Sequence, residues 1–196
     1  CNVVPTASGA MTLEQSGMGT ADVTLDTFDN GTSTWTLGEH TGLLGDNQTL
    51  PTVVLTAGGA PIAIDGIATH AYAWSLLTGA TWSTPSSFPN ISAPSINGSP
   101  TVTAALRRKA DQVVAVFSHV ATPTASPSLV FATYAGGAWS AAGPLTTNIT
   151  AAPVRHPVAL TTLADDRVAA AYIGTDLAIN VSFFDGATWT AGQPIP

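Results

Sequence analysis

The chain has 196 residues, 45% of them hydrophobic and only 9% charged, with a net charge of −7. This supports one substantial core and excludes a disordered chain, which needs low hydrophobicity or high net charge. Scarce Glu, Lys, Gln and Arg beside abundant Thr, Val, Gly and Pro exclude a mostly helical fold, and twelve scattered carboxylates against five basic residues exclude a nucleic-acid binder.

In chain order the first feature is Cys1, the only cysteine, so no intrachain disulfide can form. A mature chain beginning with Cys is what remains when a lipoprotein signal peptide is removed and the thiol carries diacylglycerol; the plainer alternative is a chain that merely starts there. The lipoprotein reading predicts an exported protein facing the periplasm or cell exterior. Lipid alone would hold it at the membrane, since no run of eighteen apolar residues exists to span one. Residues 1–19, polar and weakly periodic, are read as a tether, with the folded domain over 20–196.

The domain is read as four repeats, at about 20–48, 49–97, 98–152 and 153–196. Three of them align without gaps: Trp74-Ser-Leu-Leu-Thr-Gly79-Ala-Thr-Trp82-Ser, Phe131-Ala-Thr-Tyr-Ala-Gly136-Gly-Ala-Trp139-Ser and Val181-Ser-Phe-Phe-Asp-Gly186-Ala-Thr-Trp189-Thr. A looser copy precedes them, Leu25-Asp-Thr-Phe-Asp-Asn-Gly31-Thr-Ser-Thr-Trp35-Thr, with one extra residue between Gly and Trp. Each copy predicts a β-hairpin. An alternating strand enters a tight turn where Gly supplies positive φ, and a second strand opens with Trp, which packs on the neighbouring unit.

Two further strands are predicted before three of these hairpins, at 52–56 and 61–67, at 101–106 and 113–118, and at 158–163 and 167–172. The fold expected is therefore all-β, with about four units of four short antiparallel strands, in either a partial or a small closed ring. The Gly-x-x-Trp hairpins resemble the blades of sialidase-like and Asp-box β-propellers and of the fucose-binding lectin propellers. Asp29 and Asp185 stand near the Asp-box position, whereas the other two copies lack the Asp, so the motif is degenerate. Propellers of this type usually carry more than four blades, so the resemblance implies open blade edges available to a protein partner or to self-association.

The chemistry-bearing residues form no catalytic pattern. Arg107, Arg108, Arg155 and Arg167 do not assemble the arginine cluster that the resemblance to sialidases would require, and Arg107, Arg108 and Lys109 are read as a solvated turn. His40, His70, His119 and His156 are isolated, Asp165-Asp166 reads as a β-turn, and no phosphate loop or serine elbow occurs, so no catalytic residue, metal or cofactor is assigned. Gly31, Trp35, Gly79, Trp82, Gly136, Trp139, Gly186 and Trp189 are read as repeat-defining structural residues. Trp74, outside the repeated Trp position, is the candidate ligand-contact aromatic.

Six of the seven Asn begin Asn-x-Ser/Thr: Asn30, Asn47, Asn90, Asn97, Asn148 and Asn180. They are candidate N-glycosylation sites, although Asn, Gly, Ser and Thr also co-occur in turns. The leading function expected is a non-enzymatic exported lipoprotein whose propeller is an interaction or assembly module. A carbohydrate-binding lectin with a glycan partner is the alternative, and a glycoside hydrolase comes third.

Overall fold

The computed structural model describes residues 3–16, 20–46, 51–67, 71–92, 102–107, 109–120, 126, 128–146, 149 and 158–195. Among these, every regular element is a strand, and all pairings are antiparallel. The chain divides into two compact units, Cys1–Phe88 and Pro89–Pro196.

In the first unit, repeat one comprises β1 (Val3–Pro5), β2 (Gly9–Ser16), β3 (Thr20–Asp29) and β4 (Thr34–Asp46), paired in that order. Repeat two comprises β5 (Thr52–Leu55), β6 (Pro61–Ile67), β7 (Ala71–Thr78), β8 (Thr81–Trp82) and β9 (Ser86–Ser92), with β8 and β9 both pairing with β7. A single Gly45↔Ile67 pairing joins the two sheets. Their facing sides share one core of Leu13, Val23, Leu25 and Leu43 against Val53, Ala63 and Ala73.

In the second unit, repeat three comprises β10 (Val102–Arg107), β11 (Gln112–His119), β12 (Ser128–Ala135), β13 (Ala138–Trp139) and β14 (Gly143–Thr146). Repeat four comprises β15 (Ala159–Thr162), β16 (Val168–Ile173), β17 (Ile179–Phe184) and β18 (Gln193–Pro194). Val116, Leu129 and Ile149 pack with Tyr172, and Val114 packs with Val168 and Phe184. The paired strands predicted before the hairpins of repeats two to four are thus observed, with boundaries within about two residues, while the fourth strand is broken in two in repeats two and three, into β8 and β9 and into β13 and β14.

Repeat one differs from expectation. Residues 3–16 are not a tether, because β1 and β2 are its first two strands, with Val3–Pro5 paired to Ala10–Thr12 and Gly9–Ser16 paired to Asp22–Asp29. The cause is a short period-2 pattern that turns Met11 and Leu13 toward the core, where Leu13 is buried. The repeat therefore begins at Val3 or before, rather than near residue 20.

Each Trp faces a fixed partner on the preceding strand: Phe28↔Trp35, Leu77↔Trp82, Tyr134↔Trp139 and Phe184↔Trp189. By this register the first hairpin is longer than the others by two residues, one on each side of its glycine. The turn chemistry follows the difference. Gly79, Gly136 and Gly186 take the left-handed backbone as expected, but in repeat one Ser33 does so (φ 54°) and Gly31 does not. Asp29 holds that longer turn by accepting the Thr32 amide at 2.8 Å and its hydroxyl at 3.1 Å. Asp185 accepts the Ala187 and Thr188 amides at 2.8 and 2.9 Å in the same manner.

The residue after Trp is Ser or Thr for a reason that the hydrogen bonds disclose. Ser83, Ser140 and Thr190 each donate a main-chain N–H to the opposite strand, to Leu76, Thr133 and Phe183. Their hydroxyl oxygens accept the N–H of those same residues, at 3.1, 3.0 and 2.9 Å. The hydroxyl stands in for a ladder carbonyl, so the chain can leave the sheet directly after Trp without orphaning a donor.

Candidate functional site

Within each unit the second repeat's Trp seats itself on the repeat before it. Trp82 packs on the core that contains Leu25, and Trp189 meets the Phe131 ring edge-on, with centroids 5.9 Å apart. Leu25 and Phe131 hold one register position, three residues before the partner of their own repeat's Trp. Trp74 holds the same position in repeat two and is half-buried in β7. Trp139 lies 5.4 Å from Tyr134. Trp35 stacks on Phe28 at 5.2 Å with its outer face in solvent.

Between repeats three and four the seat is filled. Phe131, Phe184 and Trp189 form an aromatic cluster with centroid separations of 5.2–5.9 Å. Arg107 lies beside it, with its side chain only 12% exposed, which corrects its reading as part of a solvated turn; Lys109 is exposed as expected, and Arg108 lies outside the described residues. The guanidinium donates to the Asp166 carbonyl at 2.8 Å, to Gln112 Oε1 at 2.8 Å and to the Asp185 carbonyl at 2.9 Å. It lies over the Phe184 ring and against Gly186, where a Cβ would collide with it. Asp166, in the predicted Asp165-Asp166 turn, has left-handed backbone (φ 71°) and accepts the Lys109 amide at 3.1 Å.

Between repeats one and two the same place is open. A cavity of about 280 Å³ lies among Leu25 and Thr27 of β3, Thr36 and Leu37 of β4, and Leu77, Ala80 and Trp82 of repeat two. Gly79 lines it as well, and nothing comes within 4 Å of the point where a Gly79 Cβ would stand. A β-bulge shapes the near wall. The β3–β4 register shifts between Leu25 and Thr27, Gly38 donates its N–H to the buried Asp26 carboxylate at 2.8 Å, and Leu37 is pushed outward, 81% exposed. Gly38 must be glycine here, because a Cβ would run into the Leu25 carbonyl.

None of the lining residues is charged. The walls offer an indole, aliphatic surface and two threonine hydroxyls, which suits a small neutral ligand with one apolar face and peripheral hydroxyls. They offer no acid, base or nucleophile for bond cleavage. Of the residues singled out in the sequence, the site gathers Gly79 and Trp82. It does not include Trp74, and it adds Leu25, Thr27, Thr36, Leu37, Gly38, Leu77 and Ala80.

Cys1, Asn47, Asn97 and Asn148 lie outside the described residues. Asn30, at the first hairpin, and Asn90 in β9 are exposed. Asn180 is 2% exposed, and its amide donates to the Ala178 carbonyl at 3.1 Å, leaving no room for a glycan in the folded chain. Among the described residues no three of His, Cys, Asp or Glu converge as metal ligands.

No family model and no curated protein matches the chain. Solved structures do. The lectin BP39L from Burkholderia pseudomallei superposes with a TM-score of 0.72 at 14% identity, over 95% of this chain and 52% of that one. A mutant of the Aleuria aurantia lectin in complex with Fucalpha1-6GlcNAc gives 0.63 at 11%, over 96% and 57%. The NanB sialidase mutant of Streptococcus pneumoniae gives 0.59 at 12%, over 98% and 29%. The chain thus spans little more than half the length of the lectins it matches. The fold is that of the lectin and sialidase β-propellers, as the hairpin motif implied, and each repeat is one blade.

Proposed function

We propose that this propeller is a carbohydrate-binding module, a lectin rather than a hydrolase, holding one neutral sugar ring between its first two blades. The observation that carries the reading is the uncharged cavity walled by Trp82, Leu25 and Leu77 with Thr27 and Thr36 at hand. Its volume of about 280 Å³ sits at the lower end of the roughly 300–1,000 Å³ typical of ligand pockets, the scale of a single ring. An indole and aliphatic wall complements the C–H face of a sugar, while threonine hydroxyls can both donate to and accept from its hydroxyls. Lectin propellers among the structural neighbours support the reading. It replaces the assembly-module reading as the main function.

A glycan array followed by titration, monitored by tryptophan emission, tests it. Neutral glycans are expected to bind and to be recovered intact. Ala80→Arg, an exposed turn position, is expected to weaken binding about tenfold or more, a loss of about 1.4 kcal/mol, without unfolding the protein. No binding at millimolar glycan would overturn the reading, and release of reducing ends would reassign the protein as a hydrolase.

A further inference from the structure

At the bulge of blade one, two residues of β4 oppose one of β3. Thr27 pairs with Thr36 and Leu25 with Glu39, so Leu37 and Gly38 together stand across from Asp26. In a regular strand neighbouring residues alternate between faces. Here Thr36, Leu37 and Gly38 all line the cavity beside blade two, because the bulge re-aims Leu37. One side chain closes the bulge: Asp26 Oδ1 accepts the Gly38 N–H at 2.8 Å.

Asp26 is a departure from the repeat. Two residues before the partner of their Trp, blades two, three and four carry Ser75, Ala132 and Ser182, all small and buried, whereas blade one carries a carboxylate that is 6% exposed. Ser75 and Ser182 use their hydroxyls inside their own blades, on the Ser83 carbonyl at 2.7 Å and the Tyr172 hydroxyl at 3.1 Å. The fold at this position therefore needs only a small residue, and burying a charge there costs free energy that serine or alanine does not. What accompanies the carboxylate is the cavity wall. It engages Gly38, whose backbone lies so close to the Leu25 carbonyl that a Cβ would collide with it.

We propose that Asp26 is a positioning residue of the carbohydrate site: its carboxylate holds the Gly38 bulge, and the bulge presents Leu37 at the rim of the cavity as an apolar contact for the bound ring, in addition to Trp82. The inference rests on reading the cavity as a sugar site. Leu37 is 81% exposed, so a ligand seated in the cavity covers apolar surface that the fold itself leaves in water. Asp26 touches no ligand and acts through the backbone of β4.

Amide hydrogen exchange, read by NMR, and titration with the methyl glycosides of glucose, galactose, mannose, fucose and N-acetylglucosamine test the two links separately, with circular dichroism confirming that each variant folds. Asp26→Ser gives blade one the residue of blades two and four. It is expected to speed Gly38 exchange about tenfold or more and to weaken glycoside binding about tenfold, while the amides of blades three and four keep their rates. Asp26→Asn keeps an acceptor oxygen at the same reach and is expected to recover most of both. Leu37→Ser, at an exposed position, is expected to weaken binding about fivefold with Gly38 exchange unchanged. Unchanged Gly38 exchange or unchanged affinity in Asp26→Ser overturns the proposal, as does an Asp26→Asn variant no better than Asp26→Ser. A parent chain that binds none of the glycosides at millimolar concentration instead overturns the carbohydrate reading, and with it the role of Leu37. Gly38 exchange, which needs no ligand, then decides alone whether Asp26 holds the bulge.

Discussion

Between blades one and two, Leu25 carries Trp82 and a cavity of about 280 Å³ remains. Between blades three and four, Phe131 carries Trp189, and Arg107 lies against the Gly186 turn. The register is the same, and so is the Trp. What differs is the size of the seat, the Trp's own partner (Leu77 against Phe184), a bulge in β3–β4 and the presence of one guanidinium. A repeat architecture can therefore hold its construction constant and leave one junction filled and another open by changing a few side chains. The filled junction has three aromatic rings and three donated hydrogen bonds from Arg107, whereas the open one has a leucine, a bulge and solvent.

The sharpest way to break this contrast is Arg107→Ala. The substitution strips the Asp166 and Asp185 carbonyls of their donor and leaves the Asp166 carboxylate, 3.9 Å from Nη2, without its counter-charge. A loss of about 3–5 kcal/mol is expected, as for other broken buried pairs. Urea denaturation of the whole chain measures it, and a loss under 1 kcal/mol would show that the clamp is ornamental. Leu25→Phe makes the opposite change, giving the open junction the seat of the filled one. It is expected to stabilise by about 0.5–2 kcal/mol through cavity filling and to abolish glycan binding. A variant that is stabilised but still binds would place the ligand elsewhere.

The smallest effect is at the turns. The Thr188 and Ala187 amides donated to Asp185 hold its carboxyl below the usual carboxylate range, and the Thr32 amide acts alike on Asp29. A depressed folded-state value means that the carboxylate's contribution is complete above the unfolded value of about 3.9 and is lost as pH falls through the folded one. Asp185→Asn is therefore expected to flatten the stability profile below about pH 4 and to remove a small increment of stability at neutral pH, where the carboxylate's contribution is complete. An unaltered acid limb would show that the amide bonds are not formed in solution.

The hairpins were legible because every determinant is local. Gly79, Gly136 and Gly186 sit within a few residues of the Trp they serve, and the period-2 strands before them alternate clearly. Gly31 misled because the extra residues of its hairpin shift the left-handed position to Ser33, which no composition rule favours. Met11 and Leu13 gave a true strand signal, but it is only two apolar positions long in polar surroundings. Arg107 reads as solvated beside Arg108 and Lys109, yet the acceptors that bury it are 59 and 78 residues further along the chain. The cavity is invisible for the same reason, since Leu25 and Trp82 meet only when two repeats stack. Asn180 satisfies the glycosylation pattern but is consumed by its own turn.

The hydroxyl that follows Trp has one more consequence. In blades two and three it breaks the outer strand just after Trp: β8 and β13 pair for two residues, the chain leaves the ladder, and pairing resumes in β9 and β14, which contain Pro89 and Pro144, while in blade four β18 is two residues long and contains Pro194. An edge interrupted in this way gives a stray polypeptide a broken row of donors and acceptors to extend, and each proline removes one donor more. The rims of these blades are thus poor templates for fibril growth, a safeguard that a chain with so few charges to repel its neighbours has particular need of.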